Sequence, residues 1–291
     1  MEPIIIFGTE RSGTTLLYSL LANHDKLYWL SRLDSILVNH PYLTTYFRKY
    51  YEKIINENYV AKKGLISRST GIISPSECMP YWRKIFKWGN ENNYMIEDDC
   101  FDENYLSPRI GNNILKDIDI RLKISNKERP LFKQPGFSLK IKFFNKLFPN
   151  AIFIHIERNP YDNLRSLVEA KIKSKEKFWG TKVPGWKYFI NENYVIQSLY
   201  QMKKMNEIIS QDILMVEDYE KRYLKIKYEE LTNKPKDVII RVLNFCRLTI
   251  DQNIFKMSDQ IRPTIMRKEL PFSISQQNEL ELYDLYNKYV I

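Results

Sequence analysis

The chain has 291 residues, with 45 Lys and Arg against 35 Asp and Glu and a formal net charge of +10. Its hydrophobic fraction of 44% excludes a disordered chain, which lacks the apolar surface needed to offset the entropy lost on folding. The three cysteines are scattered, which argues against a structural zinc site and against a disulfide framework; they are Cys78, Cys100 and Cys246.

The N-terminal segment predicts a strand, a loop and a helix. Residues 3–9 form an apolar run with β-branched residues, typical of a strand buried on both faces of a parallel sheet. Leucines recur at helical spacing over residues 16–24. The apolar run is too short for a signal peptide, and no stretch approaches the ~18 apolar residues of a membrane span. We expect a cytoplasmic protein with no membrane span.

The middle of the chain, at about residues 32–130, predicts a helical insertion into the fold. Its acidic run is interpreted first as a solvated face and only second as a metal or partner site; the run contains Glu97, Asp98, Asp99, Asp102 and Glu103. Its aromatic residues either line an acceptor pocket or belong to the core. They are Tyr42, Tyr46, Phe47, Tyr50, Tyr51, Tyr81, Trp82, Phe86 and Trp88.

The second half predicts strands that alternate with helices. An amphipathic helix over residues 138–148 precedes a buried strand over 151–156, and Pro160 suits the first turn of a further helix. Residues 223–231 alternate like a strand before a helix that opens at Pro235. The pattern predicts an α/β fold, with a central parallel sheet flanked by helices, as a single domain over residues 1–291. Ligands of such folds bind outside the carboxyl ends of the strands.

Two strand-to-helix turns carry residues suited to phosphate. The first reads Gly8-Thr9-Glu10-Arg11-Ser12-Gly13-Thr14-Thr15 and has the frame of a phosphate loop, with Thr14 where a nucleotide hydrolase has lysine. Its backbone N–H groups, hydroxyls and arginine can still bind an anion. The second turn places Arg158 at the end of a strand and Ser166 in the following helix, both within reach of one phosphate.

Together these motifs resemble the sulfotransferase family. Arg11-Ser12-Gly13-Thr14-Thr15 resembles its 5′-phosphosulfate loop, and residues 156–162 with Ser166 resemble its 3′-phosphate motif. Residues 131–135, 148–151 and 227–231 also match family segments, and residues 178–186 are similar to bacterial members. The resemblance covers the whole chain and is weakest between residues 32 and 130.

The resemblance implies metal-free transfer of a sulfuryl group from 3′-phosphoadenosine 5′-phosphosulfate (PAPS) to an acceptor hydroxyl or amine, with PAP as product. Arg11 and the loop residues Ser12, Gly13, Thr14 and Thr15 would then hold the 5′-phosphosulfate. Arg158 and Ser166 would hold the 3′-phosphate, Tyr228 would lie near the adenine, and Lys133 would approach the oxygen that bridges phosphorus and sulfur. The acceptor is expected to be a small molecule, glycan or lipid.

The catalytic base is the open position in this scheme. Some family members have a histidine two residues after the lysine, where this chain has Pro135, and the three histidines favour structural roles; these are His24, His40 and His155. A carboxylate base is therefore expected. The first candidate is Glu77, in a Pro-bounded segment ahead of Tyr81-Trp82, and the second is Asp34. Glu10 places a carboxylate inside the loop, which is unfavourable for an anion unless it faces away or pairs with a cation.

Three alternatives remain open on sequence alone. An inactive relative would bind PAPS or PAP without catalysis. A phosphate-loop nucleotide kinase is disfavoured by Thr14. A nucleic-acid-binding module is supported only by the net charge of +10, which also suits an anionic membrane or a solvated surface. We therefore expect no nucleic-acid partner.

A basic cluster near the C-terminus is expected to add to 3′-phosphate binding; its members are Arg262, Arg267 and Lys268.

Overall fold

The computed structural model describes residues 1–55, 73–86, 99–259 and 261. These residues form a five-stranded sheet in the order β2-β3-β1-β4-β5, and every adjacent pair is parallel. The strands are β1 (Ile4–Phe7), β2 (Leu27–Trp29), β3 (Arg129–Lys133), β4 (Ile152–Glu157) and β5 (Tyr223–Lys227). The prediction of an α/β fold with a central parallel sheet is confirmed.

Strand β1 lies at the centre, with β3 on one side and β4 on the other. After β1 the chain adds β2 and β3 on one side of it, and it then crosses to add β4 and β5 on the other side. Such a reversal in strand order is where ligands bind in open α/β sheets, beyond the carboxyl ends of the strands. The loop after β1 lies at this position.

Helices flank the sheet along the described chain. They are α1 (Thr14–Leu21), α2 (Arg32–Ile36), α3 (Pro41–Ile55), α4 (Met79–Phe86), α5 (Pro108–Ser125), α6 (Ile141–Leu147), α7 (Pro160–Ser174), α8 (Tyr194–Ile213), α9 (Tyr219–Arg222), α10 (Tyr228–Asn233), α11 (Pro235–Phe245) and α12 (Gln252–Ser258). Short 3₁₀ helices span Glu103–Tyr105, Pro135–Leu139 and Trp186–Phe189. Among the described residues, none of these helices is long and apolar enough to cross a membrane.

The two faces of the sheet are covered by different hydrophobic clusters. Ile4 and Ile6 of β1 pack into a cluster with residues of α1 and α11, while Ile5 and Phe7 pack into a second cluster with α4 and α6. This alternation follows from the two-residue period of a strand, and it explains why β1 is apolar throughout. Both clusters fix the position of the β1 carboxyl end.

The aromatic residues of the insertion divide into two groups. Tyr81, Trp82 and Phe86 of α4 lie in the core, where the Trp82 ring contacts four phenylalanine rings. The aromatic residues of the first two turns of α3 are instead exposed. Trp88 lies outside the described residues, as do Glu97 and Asp98 of the acidic run.

Two predicted elements differ from the structure. The strand expected over residues 223–231 ends at Lys227, because residues 228–233 form helix α10, whose first turn carries Glu229 and Glu230. Acidic residues are favourable at this end of a helix. The helix expected over 138–148 is a 3₁₀ turn followed by α6, because Lys140 (φ −136°, ψ 20°) interrupts the helical backbone.

Candidate functional site

The loop between β1 and α1 has a backbone that requires its glycines. Gly8 and Gly13 have φ angles of 154° and 103°, and Arg11 between them has a φ of 66°. A Cβ at Gly13 would lie 2.8 Å from Cε2 of Tyr228 and closer still to Cδ2, so this glycine lets the Tyr228 ring pack directly against the loop. The chain reversal and the close approach of α10 both depend on this glycine.

The same loop contains polar groups suited to an anion. The Ser12 side chain is buried, and its Oγ has no hydrogen-bond partner among the described residues. Gly13 precedes α1 and supplies no side-chain cap to the free N–H groups of the first turn. An unpartnered hydroxyl beside a helix N-terminus is chemically suited to phosphate or sulfate oxygens.

The second turn, between β4 and α7, lies against the first. Arg11 Nε donates a hydrogen bond to Ser166 Oγ at 3.0 Å, across 155 residues of sequence. Arg158 donates to the Arg11 carbonyl oxygen at 3.2 Å, and its guanidinium lies 4.9 Å from the centre of the Tyr228 ring. Arg158 Nε is buried and has no partner among the described residues. The structure thus brings Arg11, Arg158, Ser166 and Tyr228 into one cluster.

Lys133 and Glu77 lie on the other side of the loop. Lys133 is the last residue of β3 and pairs in register with Ile6 of β1. Its Nζ donates to Thr15 Oγ1 at 2.8 Å and forms an ion pair with the Glu77 carboxylate. The lysine side chain is 2% exposed, whereas that of Glu77 is 41% exposed. A buried cation and a solvent-accessible carboxylate therefore lie together at the carboxyl end of β3.

Backbone contacts hold the segment that carries Glu77 beside α1. Ser76 N–H donates to the Leu30 carbonyl at 2.9 Å, and the Tyr18 hydroxyl donates to the Ser76 carbonyl at 3.2 Å. Ser31 and Pro75 form an antiparallel bridge. These bonds fix the position of a segment that is distant in sequence from both phosphate-type turns.

Asp34, the second base candidate, is committed to a buried network. Its carboxylate accepts hydrogen bonds from Thr44 and Arg121, each at 2.5 Å, and forms a capping box with Ser31 at the start of α2. Burial acts to raise the pKa of Asp34, but the Arg121 charge and the hydroxyl hydrogen bonds outweigh it and hold the pKa below its usual value. Asp34 braces α2, α3 and α5 against one another.

The Glu10 carboxylate faces the segment around Gly180 and Thr181. Its carboxylate is buried and accepts a hydrogen bond from Thr181 N–H at 2.6 Å. Burial raises the pKa of Glu10, and burial also lowers the pKa of nearby Lys171 to about 8. Asn163 completes this side of the loop, because it accepts from the Thr9 hydroxyl at 2.6 Å and donates to the Glu10 carbonyl at 2.7 Å.

Sequence reasoning missed Asn163, Lys171 and Thr181 as supports of the loop. The one local signal was the short Phe178-Trp179-Gly180 motif, which precedes Thr181. Gly180, with a φ of 92°, leaves room for the Glu10 carboxylate, since a Cβ there would lie 3.1 Å from Glu10 Oε1. The pairing between Glu10 and residue 181 spans 171 positions and has no periodic pattern.

The histidines lie in structural positions. His24 is buried and its Nε2 lies 3.0 Å from the Thr249 carbonyl oxygen. His155 is inside β4, stacked on Phe7, and burial lowers its pKa to about 4. His40 contributes its backbone N–H to the turn before α3. The basic residues Arg262, Arg267 and Lys268 lie outside the described residues.

Comparison with known proteins gives one family. The sequence pattern of a family described as "Sulfotransferase family" matches residues 3–252. A Mycobacterium bovis omega-hydroxy-beta-dihydromenaquinone-9 sulfotransferase is 27% identical over 172 residues, which are 55% of this chain and 42% of that protein. A putative protein-tyrosine sulfotransferase of Caenorhabditis elegans is 25% identical over 191 residues, 65% of each chain. The matched regions thus span less than two thirds of these relatives.

Solved structures show the same fold. The crystal structure of sulfotransferase STF9 from Mycobacterium avium aligns with a TM-score of 0.57 at 15% identity, covering 99% of this chain and 76% of that one. Sulfotransferase STF1 from Mycobacterium tuberculosis aligns with a TM-score of 0.58 at 13% identity, with the same coverage. At these identities the likeness concerns the fold alone.

Proposed function

Because the chain belongs to the sulfotransferase family, we propose that it transfers a sulfuryl group from PAPS to an acceptor hydroxyl or amine, with residues 1–291 acting as one domain. The observation that carries the proposal is the meeting of the two phosphate-type turns. Arg11 bonds to Ser166 at 3.0 Å and Arg158 bonds to the Arg11 carbonyl at 3.2 Å, so cations from both turns converge at the carboxyl end of β1.

The polar groups of the site fit a nucleotide with phosphates at both ends of the ribose. Ser12 Oγ and Arg158 Nε are buried without a partner in the described chain, which is costly unless a ligand supplies an acceptor. Ser12 to Thr15 and Arg11 would bind the 5′-phosphosulfate. Arg158 and Ser166 would bind the 3′-phosphate, and the Tyr228 ring would lie beside the adenine. Bound PAPS would supply the activated sulfuryl group.

Lys133 is proposed to stabilise the negative charge that develops during transfer. Its ammonium is buried and is held by Thr15 Oγ1 at 2.8 Å, beside the loop that would bind the phosphosulfate. A fixed cation in a water-poor site stabilises charge that develops on a leaving oxygen more effectively than a mobile one. Arg11 would share this role, so the transfer needs no metal ion.

Glu77 is proposed as the general base. Its carboxylate pairs with Lys133 but remains 41% exposed, so an acceptor hydroxyl can reach it from solvent. The carboxylate would remove the acceptor proton as the oxygen bonds to sulfur. Its pairing with Lys133 also favours a second candidate, a relative that binds PAPS or PAP without transfer, because in this arrangement the carboxylate is occupied.

The acceptor is proposed to be a small molecule, glycan or lipid. By their names, the mycobacterial relatives act on a hydroxylated dihydromenaquinone and the nematode relatives on protein tyrosine. Both of these acceptors carry a hydroxyl group. An acceptor panel should therefore include hydroxylated lipids, phenols, glycans and tyrosine peptides.

Sulfur-labelled PAPS tests these roles together. We expect wild-type protein to transfer label to at least one member of the panel with no added metal. Glu77→Gln should bind PAP normally but lose transfer. Glu128→Gln, which removes an exposed carboxylate paired with Lys26, should bind PAP and transfer label as wild type does. Normal PAP binding without any transfer by wild type would favour the inactive relative. Retained transfer in Glu77→Gln would dismiss Glu77 as the base.

A further inference from the structure

Helix α3 presents its polar residues to the protein and its apolar residues to solvent. Thr44, Thr45 and Arg48 are at most 2% exposed. The residues on the opposite side are between 42% and 65% exposed, and we call them the aromatic face; they are Tyr42, Leu43, Tyr46, Phe47 and Tyr50. An ordinary surface helix has the reverse arrangement, with its apolar stripe against the core.

Specific contacts fix this orientation of α3. The Thr44 hydroxyl donates to Asp34 at 2.5 Å, and Thr45 Oγ1 lies 3.4 Å from the Tyr28 hydroxyl. The Arg48 guanidinium contacts the rings of Tyr28 and Trp29, 4.6 Å and 4.0 Å from their centres, and donates to the Trp29 carbonyl.

Rotating the helix would take the Arg48 guanidinium away from the Trp29 carbonyl and from both rings, and would remove the Thr44 hydroxyl from Asp34, at a cost that aromatic burial alone would not offset. The aromatic face is therefore held outward by the fold, and it is not a helix that has failed to pack.

The spacing makes the aromatic face continuous. Tyr42, Tyr46 and Tyr50 recur every fourth residue, and Leu43 and Phe47 form a parallel row. At ~1.5 Å per residue the rows extend ~12 Å along the helix. Ile36, at the end of α2, is also exposed, at 61%. A contiguous apolar patch of this kind marks an interaction site.

The chemistry of the aromatic face fits a lipid surface. Tyrosine rings are favoured where one end is apolar and the other is wet, as at the boundary of a bilayer. Two positive charges lie nearby: Lys49 is exposed beside Tyr42 and Tyr46, and Lys84 of α4 reaches the chain before α3, 3.0 Å from Asn39 Oδ1. No Asp or Glu occurs between residues 34 and 52, and the chain carries +10 overall.

From these observations we propose that the aromatic face of α3 docks the protein on an anionic lipid bilayer. The rings would enter the headgroup region while Lys49 contacts anionic headgroups, as in other interfacial helices. This docking is independent of the proposed transfer reaction, because lipid binding requires neither PAPS nor an acceptor.

Vesicle sedimentation with the full chain tests the proposal. Wild-type protein is expected to sediment with vesicles of phosphatidylcholine and phosphatidylglycerol, and less with phosphatidylcholine alone. The double variant Tyr46→Gln/Phe47→Gln should weaken binding by about tenfold or more, since two buried rings are lost from the bilayer contact. Lys49→Glu should weaken binding to the anionic vesicles only.

A matched control uses exposed apolar residues elsewhere on the surface. Tyr188→Gln/Leu214→Gln removes two side chains that are 88% and 72% exposed, and it should bind vesicles as wild type does. All altered side chains are exposed, so urea unfolding should be unchanged in each variant. No binding by wild type, or equal loss in the control, would overturn the proposal. A dimer in solution that dissociates in Tyr46→Gln/Phe47→Gln, without vesicle binding, would assign the face to a second copy.

Discussion

Replacing Gly13 with alanine is the substitution whose effect the structure predicts most fully. Gly13 has a φ of 103°, which costs a residue with a Cβ roughly 1–2 kcal/mol. The new Cβ would also stand 2.8 Å from Tyr228 Cε2, whereas ordinary contact begins at 3.4 Å. The Tyr228 ring must therefore move, which would disrupt its cation–π contact with Arg158. Loss of that contact would cost about 0.5–1 kcal/mol in addition.

Gly13→Ala should therefore lower the free energy of unfolding by about 1.5–3 kcal/mol in a urea titration. It should also weaken PAP binding, because the Tyr228 ring and the loop would no longer be in place. Gly111→Ala is the matched control: its Cβ would meet only side chains, at 3.4 Å and 3.5 Å, within α5. Alanine there should stabilise the protein by about 1 kcal/mol. Wild-type stability and PAP affinity in Gly13→Ala would refute this reasoning.

Two further predictions concern buried charge. Asp34→Asn should lower the free energy of unfolding by up to about 3 kcal/mol, because it removes one of two carboxylates that pair with the buried Arg121 guanidinium, the other being that of Asp117. Asp119→Asn, in an exposed pair with Lys123, should change the free energy of unfolding little. Burial lowers the pKa of Lys171 to about 8, below its unfolded value near 10.5. The buried charged ammonium therefore destabilises the folded state fully below pH 8, and this destabilisation fades as the pH rises to 10.5. Between pH 7 and pH 10, the free energy of unfolding of wild type, measured in urea, should therefore rise by up to about 3 kcal/mol relative to that of Lys171→Met. The same difference between the two proteins at both pH values would contradict a lowered pKa of Lys171.

The sequence was most informative where a local pattern coincides with a physical requirement. Strands β1 and β4 are buried on both faces, so their apolar runs identified them, and Pro160 marked the first position of α7. The glycines and hydroxyls of the first loop likewise predicted its place between a strand and a helix. These features depend on near neighbours in the chain.

Long-range contacts were not predictable in this way. The ion pair between Glu77 and Lys133 and the bond from Thr181 to Glu10 join segments whose separation has no sequence period. Residues 228–231 alternate like a strand but begin α10, where Glu229 and Glu230 lie in the first turn at the positive end of the helix. Helix α3 departs from the usual amphipathic arrangement, because its buried side carries Thr44, which donates to Asp34, and Arg48, which packs on the Trp29 ring.

Discrimination between PAP and AMP shows whether the site binds a 3′-phosphate. The two nucleotides differ by the 3′-phosphate, which Arg158 and Ser166 are proposed to bind. In isothermal titration, wild type should bind PAP about 10- to 150-fold more tightly than AMP, as expected for a charge-assisted contact of roughly 1.5–3 kcal/mol. Arg158→Ala should remove most of that preference, while Arg247→Ala, an exposed arginine paired with Glu2, should keep it. Equal affinity of wild type for the two nucleotides, or an undiminished preference in Arg158→Ala, would contradict the account.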